Sequence, residues 1–296
     1  MMGLGALIKR NTKLFFKDKG LFFTSLITPL ILLVLYVTFL GNVYRDSFAT
    51  AFPEGMKVPD KLLDAAVGGQ LISSLLAVCC VTVAFCSNML MVQDKANGSR
   101  KDLTITPAKT TTMAIGYYVS TLISTLLICL IATGAGFLYL GNVGWYLTGQ
   151  DVALILLDVF LLVMFGVALS SVINFFLSTQ GQISAVGSVV SSMYGFICGA
   201  YMPISQFGEG LRNTLAFLPG TYATSLLRNH TLRGVFAEMK NEGYPTEVIN
   251  ILRDVIDCNV YFFDEKVGLP TMYLILGGSV AVLVGVYIVM NLVKRK

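Results

Sequence analysis

The sequence predicts an all-α membrane protein with six transmembrane helices, and three observations support this fold class. Five long stretches contain no Asp, Glu, Lys or Arg: 21–44, 65–93, 110–150, 159–208 and 267–293. A bilayer core takes about 20 apolar residues per helix, so each stretch can cross a membrane. Charged residues make up 13% of the chain, against roughly 25% in soluble domains. The third observation is the uneven distribution of Lys and Arg among the connecting segments.

The stretch 159–208 is too long for one helix and is interrupted by the polar residues 178–182, which are typical of a turn. We therefore predict six helices within a single transmembrane domain, 1–296, at about 21–42, 66–92, 112–140, 152–177, 183–203 and 269–292.

The positive-inside rule sets the predicted orientation. The N-terminus, the 93–111 loop, the 178–182 turn and the C-terminus carry 12 Lys and Arg and only three acids. The opposite segments are longer and carry nine Lys and Arg with thirteen acids. Both termini are therefore expected in the cytoplasm. The net charge of +4 follows from this topology, and no nucleic-acid partner is inferred from it.

Residues 3–19 are predicted to form an amphipathic helix at the membrane surface. Leu4, Leu7 and Leu14 fall on one side at 100° per residue, while Lys9 and Lys13 fall on the other. Such a helix lies among lipid headgroups with its apolar face down. Two interpretations stay open: a positive anchor for the first span, or a lever that contacts a cytoplasmic partner.

The loop after the second predicted span carries the first informative motif. Its residues 94–107 start with an acid, turn at a Gly-Ser pair, continue with a Leu and end in Thr-Pro. A glycine and a serine can turn and cap the chain, and a proline ends a short helix. The pattern resembles the cytoplasmic loop of type-two ABC exporter permeases. In that family the segment is a coupling helix that docks on the ATPase subunit. The resemblance assigns this role to Asp94, Gly98, Ser99, Leu103, Thr106 and Pro107.

A second motif follows the fifth predicted span and resembles the same family. It begins at Gly199-Ala200-Tyr201-Met202-Pro203 and continues through Leu218-Pro219-Gly220. The resemblance implies that 204–225 re-enters the outer leaflet as two short helices, and that 226–268 is a small extracellular region. The outer-gate residues would be Pro203, Leu211, Leu215, Pro219 and Tyr222.

The family resemblance also predicts the partners. No Walker A sequence occurs in the chain, so ATP and Mg²⁺ are expected on a separate cytoplasmic ABC ATPase subunit, and this chain is expected to bind no cofactor. A second permease subunit, of the same or a related chain, would complete the pathway. With one histidine and no Cys/His metal spacing, a membrane enzyme is not expected.

Two further features have open interpretations. Gly187, Ser191, Gly195 and Gly199 recur every fourth residue, which lets helix backbones approach closely; they can pack within one subunit or form a dimer interface. Asp158 lies inside a predicted span, where a charge is costly; it has either a structural partner or a role in the substrate pathway.

The sequence thus favours an ATP-driven exporter of the drug and antibiotic branch, in a bacterial plasma membrane. Its substrate would be an amphiphile such as a drug, antibiotic, toxin, lipid or peptide. The alternative within the family is export of a lipid-linked glycan. A secondary transporter or a channel is disfavoured because the spans hold one acid, no repeat and no filter-like segment.

Overall fold

The computed structural model describes residues 3–50, 58–105, 109–263 and 265–293. The first of these ranges contains α1 (Leu4–Lys17), α2 (Lys19–Leu35), a π-helical turn (Tyr36–Leu40) and α3 (Gly41–Thr50). Asp18 separates the first two helices, because its side chain accepts a hydrogen bond from the Leu21 N–H at 3.1 Å and caps α2.

The remaining elements are helices except for one short hairpin. They are α4 (Asp60–Ala96), α5 (Ser99–Ile105), α6 (Thr110–Val143), α7 (Gly149–Phe176), α8 (Gln180–Ile197), a 3-10 turn (Ile204–Gln206), α9 (Glu209–Leu215), α10 (Pro219–Asn241), α11 (Thr246–Val255), β1 (Tyr261–Phe262), β2 (Glu265–Lys266) and α12 (Leu269–Val293). The two strands pair antiparallel, with Tyr261 opposite Lys266. The prediction of an all-helical membrane protein is confirmed.

Five helical segments of the described chain are long and apolar enough to cross a membrane: Lys19–Asp46, Asp60–Ala96, Thr110–Val143, Gly149–Phe176 and Leu269–Val293. They match five of the six predicted spans but are longer, because helical hydrogen bonding continues beyond the apolar window. The remaining predicted span corresponds to α8, whose 18 residues measure about 27 Å. Its glutamines and serines make it less apolar than the others.

The helices run between two ends of one bundle. The α5 end contains α1, the C-termini of α4 and α7 and the N-termini of α6 and α8, joined by side-chain contacts described below. The α9 end contains α9, α10, α11 and the hairpin. Helix α8 connects the two ends, as the longer helices do.

Helix α4 lies at the centre of the bundle. Of its most apolar window, 94% is buried inside the protein, against 22% for α12. It packs against α2, α6, α7, α8 and α10. Small residues make this possible, since a side chain at Gly69 would meet Leu232 of α10 and one at Gly136 would meet Ile72.

The segment after α8 differs from the prediction in its boundaries. The range 204–225 contains one short helix, α9, and only the start of α10, which continues without a break to Asn241. The region 226–268 is therefore not wholly exposed, since α10 buries Arg228, Asn229 and His230 among the neighbouring helices. Cys258, in the same region, is 2% exposed.

Candidate functional site

The C-terminal turn of α4, just before α5, is a junction of several elements. Asp94 is 6% exposed and accepts both ends of the Arg10 guanidinium, at 2.8 and 3.2 Å. The Tyr117 hydroxyl of α6 donates to the same carboxylate at 2.5 Å. The hydrogen bond from Arg10 to Asp94 raises the pKa of this guanidinium above its usual value. Asp94 therefore binds α1 and α6 within the chain.

Helix α1 is consequently not a free surface helix. Leu7 packs directly over Gly116 of α6, where a side chain would overlap it, and Phe15 is 1% exposed. Lys9 and Lys13 face away from this contact and are exposed. Part of the predicted apolar side of α1 packs on α6 through Leu7, whereas Leu14 is 37% exposed. The position of this helix at the membrane surface stays a prediction.

The next residue, Lys95, binds the end of α7. Its ammonium group donates three hydrogen bonds of 2.9 Å, to the carbonyl oxygens of Asn174, Phe175 and Leu177. The ammonium also lies 5.8 Å from the ring centroid of Phe175. The last carbonyls of a helix have no partner within the helix, and a cation there complements the helix dipole.

Helix α5 follows immediately and has the predicted start. Gly98 has φ +81°, a conformation that favours glycine, and its carbonyl accepts from the Lys101 N–H at 2.8 Å. Ser99 is the first helical residue. Leu103 is half-buried, whereas Ile105 is 84% exposed. The predicted coupling residues Thr106 and Pro107 lie outside the described residues.

The small-residue stripe of α8 is used largely within the chain. A side chain at Gly187 would meet Met89 of α4, and one at Gly195 would overlap Tyr201. Gly199 has φ +75° and lies beside Ile204, while Ser191 is half-buried. The residues exposed on α8 include a neighbouring row of serines: Ser184, Ser188 and Ser192.

Two clefts flank α8, because among the described helices it packs extensively only on α4. The first is a groove of about 680 Å³ between α8 and α2–α3. The second is a wholly different cleft of about 870 Å³ between α8, α7 and α12, lined by apolar residues such as Met193 and Leu283. The first groove has an aliphatic and aromatic wall from α2 and α3 and a hydroxyl-bearing wall from α8. Its lining includes Ile31, Phe39, Tyr44, Ser188, Ser191 and Ser192.

The predicted gate residues divide into buried and exposed members. Tyr222 is buried and donates to the Ala216 carbonyl at 2.5 Å, and Leu215 is 6% exposed. Pro219 is the first residue of α10, a position that suits proline. Pro203 precedes the 3-10 turn. Leu211 is 50% exposed and takes no part in this packing.

A buried ion pair at the α9 end was not singled out by the sequence. Arg228 of α10 is 1% exposed on its side chain and lies 3.2 Å from Asp257. It also donates to the Gly199 carbonyl, while Asp257 accepts from the backbone N–H groups of Ile204 and Ser205. Burial raises the pKa of Asp257, and the charge of Arg228 opposes that rise. These contacts join the turn after α8 to α10 and to the segment after α11.

Asp158 has a structural partner. Its carboxylate lies 2.5 Å from Nδ1 of His230, and it accepts from the Tyr273 hydroxyl at 2.6 Å. A second ion pair links α7 and α10, with a side-chain nitrogen of Arg233 2.5 Å from a carboxylate oxygen of Asp151. The intramembrane acid therefore joins α7, α10 and α12.

These observations define a multi-pass helical membrane protein whose short exposed helix α5 adjoins a junction of bundle helices. A family model described as ABC-2 type transporter matches residues 2–231, and the chain belongs to this family. It is the transmembrane subunit of an ABC transporter, a permease component without an ATPase site, and the family normally pairs with an ATPase subunit. No curated protein and no solved structure matched the chain.

Proposed function

We propose that this chain is the permease of an ATP-driven exporter that moves an amphiphilic molecule out of a bacterial cell. The groove between α2 and α8 carries this proposal. Its volume of about 680 Å³ lies within the range of about 300–1,000 Å³ typical of small-molecule sites. The wall from α2 and α3 is mainly apolar, with Thr24 and Thr28 among its residues, and the wall from α8 bears serine hydroxyls, so the groove suits a molecule with both kinds of surface.

In this proposal the chain crosses the membrane six times, with α8 as the fifth span. The α5 end lies in the cytoplasm together with both termini, as the Lys and Arg distribution favours. Helix α5 docks on the ATPase subunit, which binds ATP and Mg²⁺. The segment around α9 and the start of α10 closes the outer end of the pathway. The 84% exposure of Ile105 leaves this apolar side chain accessible to a docking partner.

Replacing Ile105 with Asp is expected to abolish docking while the protein still inserts and folds. The new charge would be buried unpaired in the interface, and such a change costs at least about 2 kcal/mol of binding, or roughly 30-fold in affinity. The measurements are co-purification with the ATPase subunit and amphiphile-stimulated ATP hydrolysis of the reconstituted complex.

The matched control is Ile251→Asp, since Ile251 is 50% exposed on α11 at the opposite end. Full co-purification of the Ile105→Asp protein would contradict the docking role of α5. Stimulation of the native complex by a lipid-linked glycan alone, and by no drug-like amphiphile, would replace the proposed substrate class with the glycan.

A second copy of the permease is proposed to meet the first along the exposed faces of α2 and α8. The exposed serines of α8 support this arrangement, because small residues let transmembrane helices approach closely. Ser188→Cys is therefore expected to crosslink between chains in native membranes. All six native cysteines are buried, which keeps the background low.

Leu274→Cys is the control for this experiment, since Leu274 is 75% exposed on α12 and lines the second cleft rather than the groove between α2 and α8. Crosslinking is measured as a dimer band on non-reducing gels. A dimer band from position 274 and none from position 188 would move the interface to α12.

A further inference from the structure

The last turn of α4 contains two adjacent residues that bind different parts of the bundle. Asp94 binds α1 and α6 through Arg10 and Tyr117. Lys95 binds the carbonyls of Asn174 and Phe175 in the last turn of α7 and that of the C-cap residue Leu177. Only Ala96, Asn97 and Gly98 separate Lys95 from the first residue of α5. A displacement of α5 is therefore passed to this turn through a connection of only three residues.

The Lys95 ammonium group uses all of its N–H donors in the contact with the end of α7. An ammonium group has three N–H donors and no acceptor, and all three find carbonyl oxygens at 2.9 Å. The acceptors are backbone atoms, so they move only when the end of α7 moves. The C-terminal end of α7 is thus attached to Lys95, four residues before the start of α5.

The end of α7 is also the start of α8. Leu177 accepts from Lys95, and Thr179 two residues later caps α8 in a reciprocal pair with Gln182. Because within the chain α8 packs extensively only on α4 and has a cleft on each side, few contacts with the described helices of its own subunit oppose a tilt of this helix. A shift of the turn at 177–179 would change the width of the groove between α2 and α8.

We propose that Lys95 is the positioning residue that transmits the movement of α5 to α8. This inference rests on the proposed docking of α5 on an ATPase subunit. Two adjacent residues then have different roles within one helical turn: Asp94 fixes the turn to α1 and α6, and Lys95 couples it to α8, the helix that borders the pathway.

The test uses two singly labelled versions of the permease in complex with its ATPase subunit, in lipid nanodiscs. An environment-sensitive fluorophore is placed on Asp102→Cys in α5 or on Gln180→Cys at the start of α8, both exposed positions. The complex is then trapped with ADP and vanadate. With Lys95 present, both labels are expected to change their emission. In the Lys95→Met protein the label at 102 still responds and the response at 180 is lost, while Lys95→Arg, which keeps N–H donors, restores it.

A response at 180 that survives Lys95→Met would overturn the inference. So would a native complex in which the label at 102 responds and the label at 180 does not, a result that needs no Lys95 variant to fold and leaves the proposed function intact. A native complex in which neither label responds would overturn both the inference and the docking of α5.

Discussion

Replacing Arg228 with Met is expected to destabilise the α9 end by about 3–5 kcal/mol, the usual cost of removing one partner of a buried ion pair. Arg228 is 1% exposed, and its loss leaves Asp257 in the interior without its counter-charge. The carbonyl of Gly199 also loses a donor. The measurement is the unfolding temperature of the purified permease in detergent.

Two further variants test whether the loss of stability comes from the burial of this ion pair. Arg45→Met removes the partner of both Asp60 and Asp64, whose side chains are 87% and 43% exposed beside an Arg45 side chain that is 40% exposed, so a loss of about 0–1 kcal/mol is expected there. The double variant Arg228→Met with Asp257→Asn should recover part of the lost stability, because neither position of the pair then holds a buried charge. Equal unfolding temperatures for Arg228→Met and Arg45→Met would show that the buried pair contributes no more than an exposed one.

Replacing Gly234 with Ala is the second change with a large expected effect. A methyl group at this position would overlap the carbonyl oxygen of Tyr146, a backbone atom that cannot rotate away. Helix α10 would have to move off the α6–α7 connection, which would separate Arg233 from Asp151. Overpacking costs about 1–3 kcal/mol and occasionally more, and a rigid backbone neighbour places this site at the upper end.

The matched control is Gly210→Ala in α9. No heavy atom lies within 4 Å of a methyl group there, and Ala is favoured over Gly in a helix by about 0.8–1.0 kcal/mol. The measured quantity is the yield of monodisperse folded protein together with its unfolding temperature. A Gly234→Ala protein as stable as the Gly210→Ala protein would contradict the close contact between α10 and the Tyr146 backbone.

The positions of the helices could be predicted closely because they depend on local composition. A charge-free stretch of 24 residues or more must cross the bilayer as a helix, since lipid satisfies no backbone hydrogen bonds. The start of α5 could also be predicted from local sequence. Glycine favours a turn and serine favours the start of a helix, and Gly98 and Ser99 have these roles here. The continuous run of α10 could not be predicted, because its polar residues 228–231 are stable in the interior only when other helices supply their partners.

What the sequence by itself determined is therefore the class of protein, its apolar helices and the place of its short helix α5. These follow from hydrophobicity and turn chemistry, which act over a few residues. Only the tertiary structure decided which polar groups meet: Lys95 with the end of α7, Asp158 with His230, and Arg228 with Asp257. The partners are far apart in the chain, and their contact depends on how each helix is rotated and shifted against α4. Packing at residues such as Gly69 and Gly187 sets that rotation, and it cannot be read from a local sequence pattern.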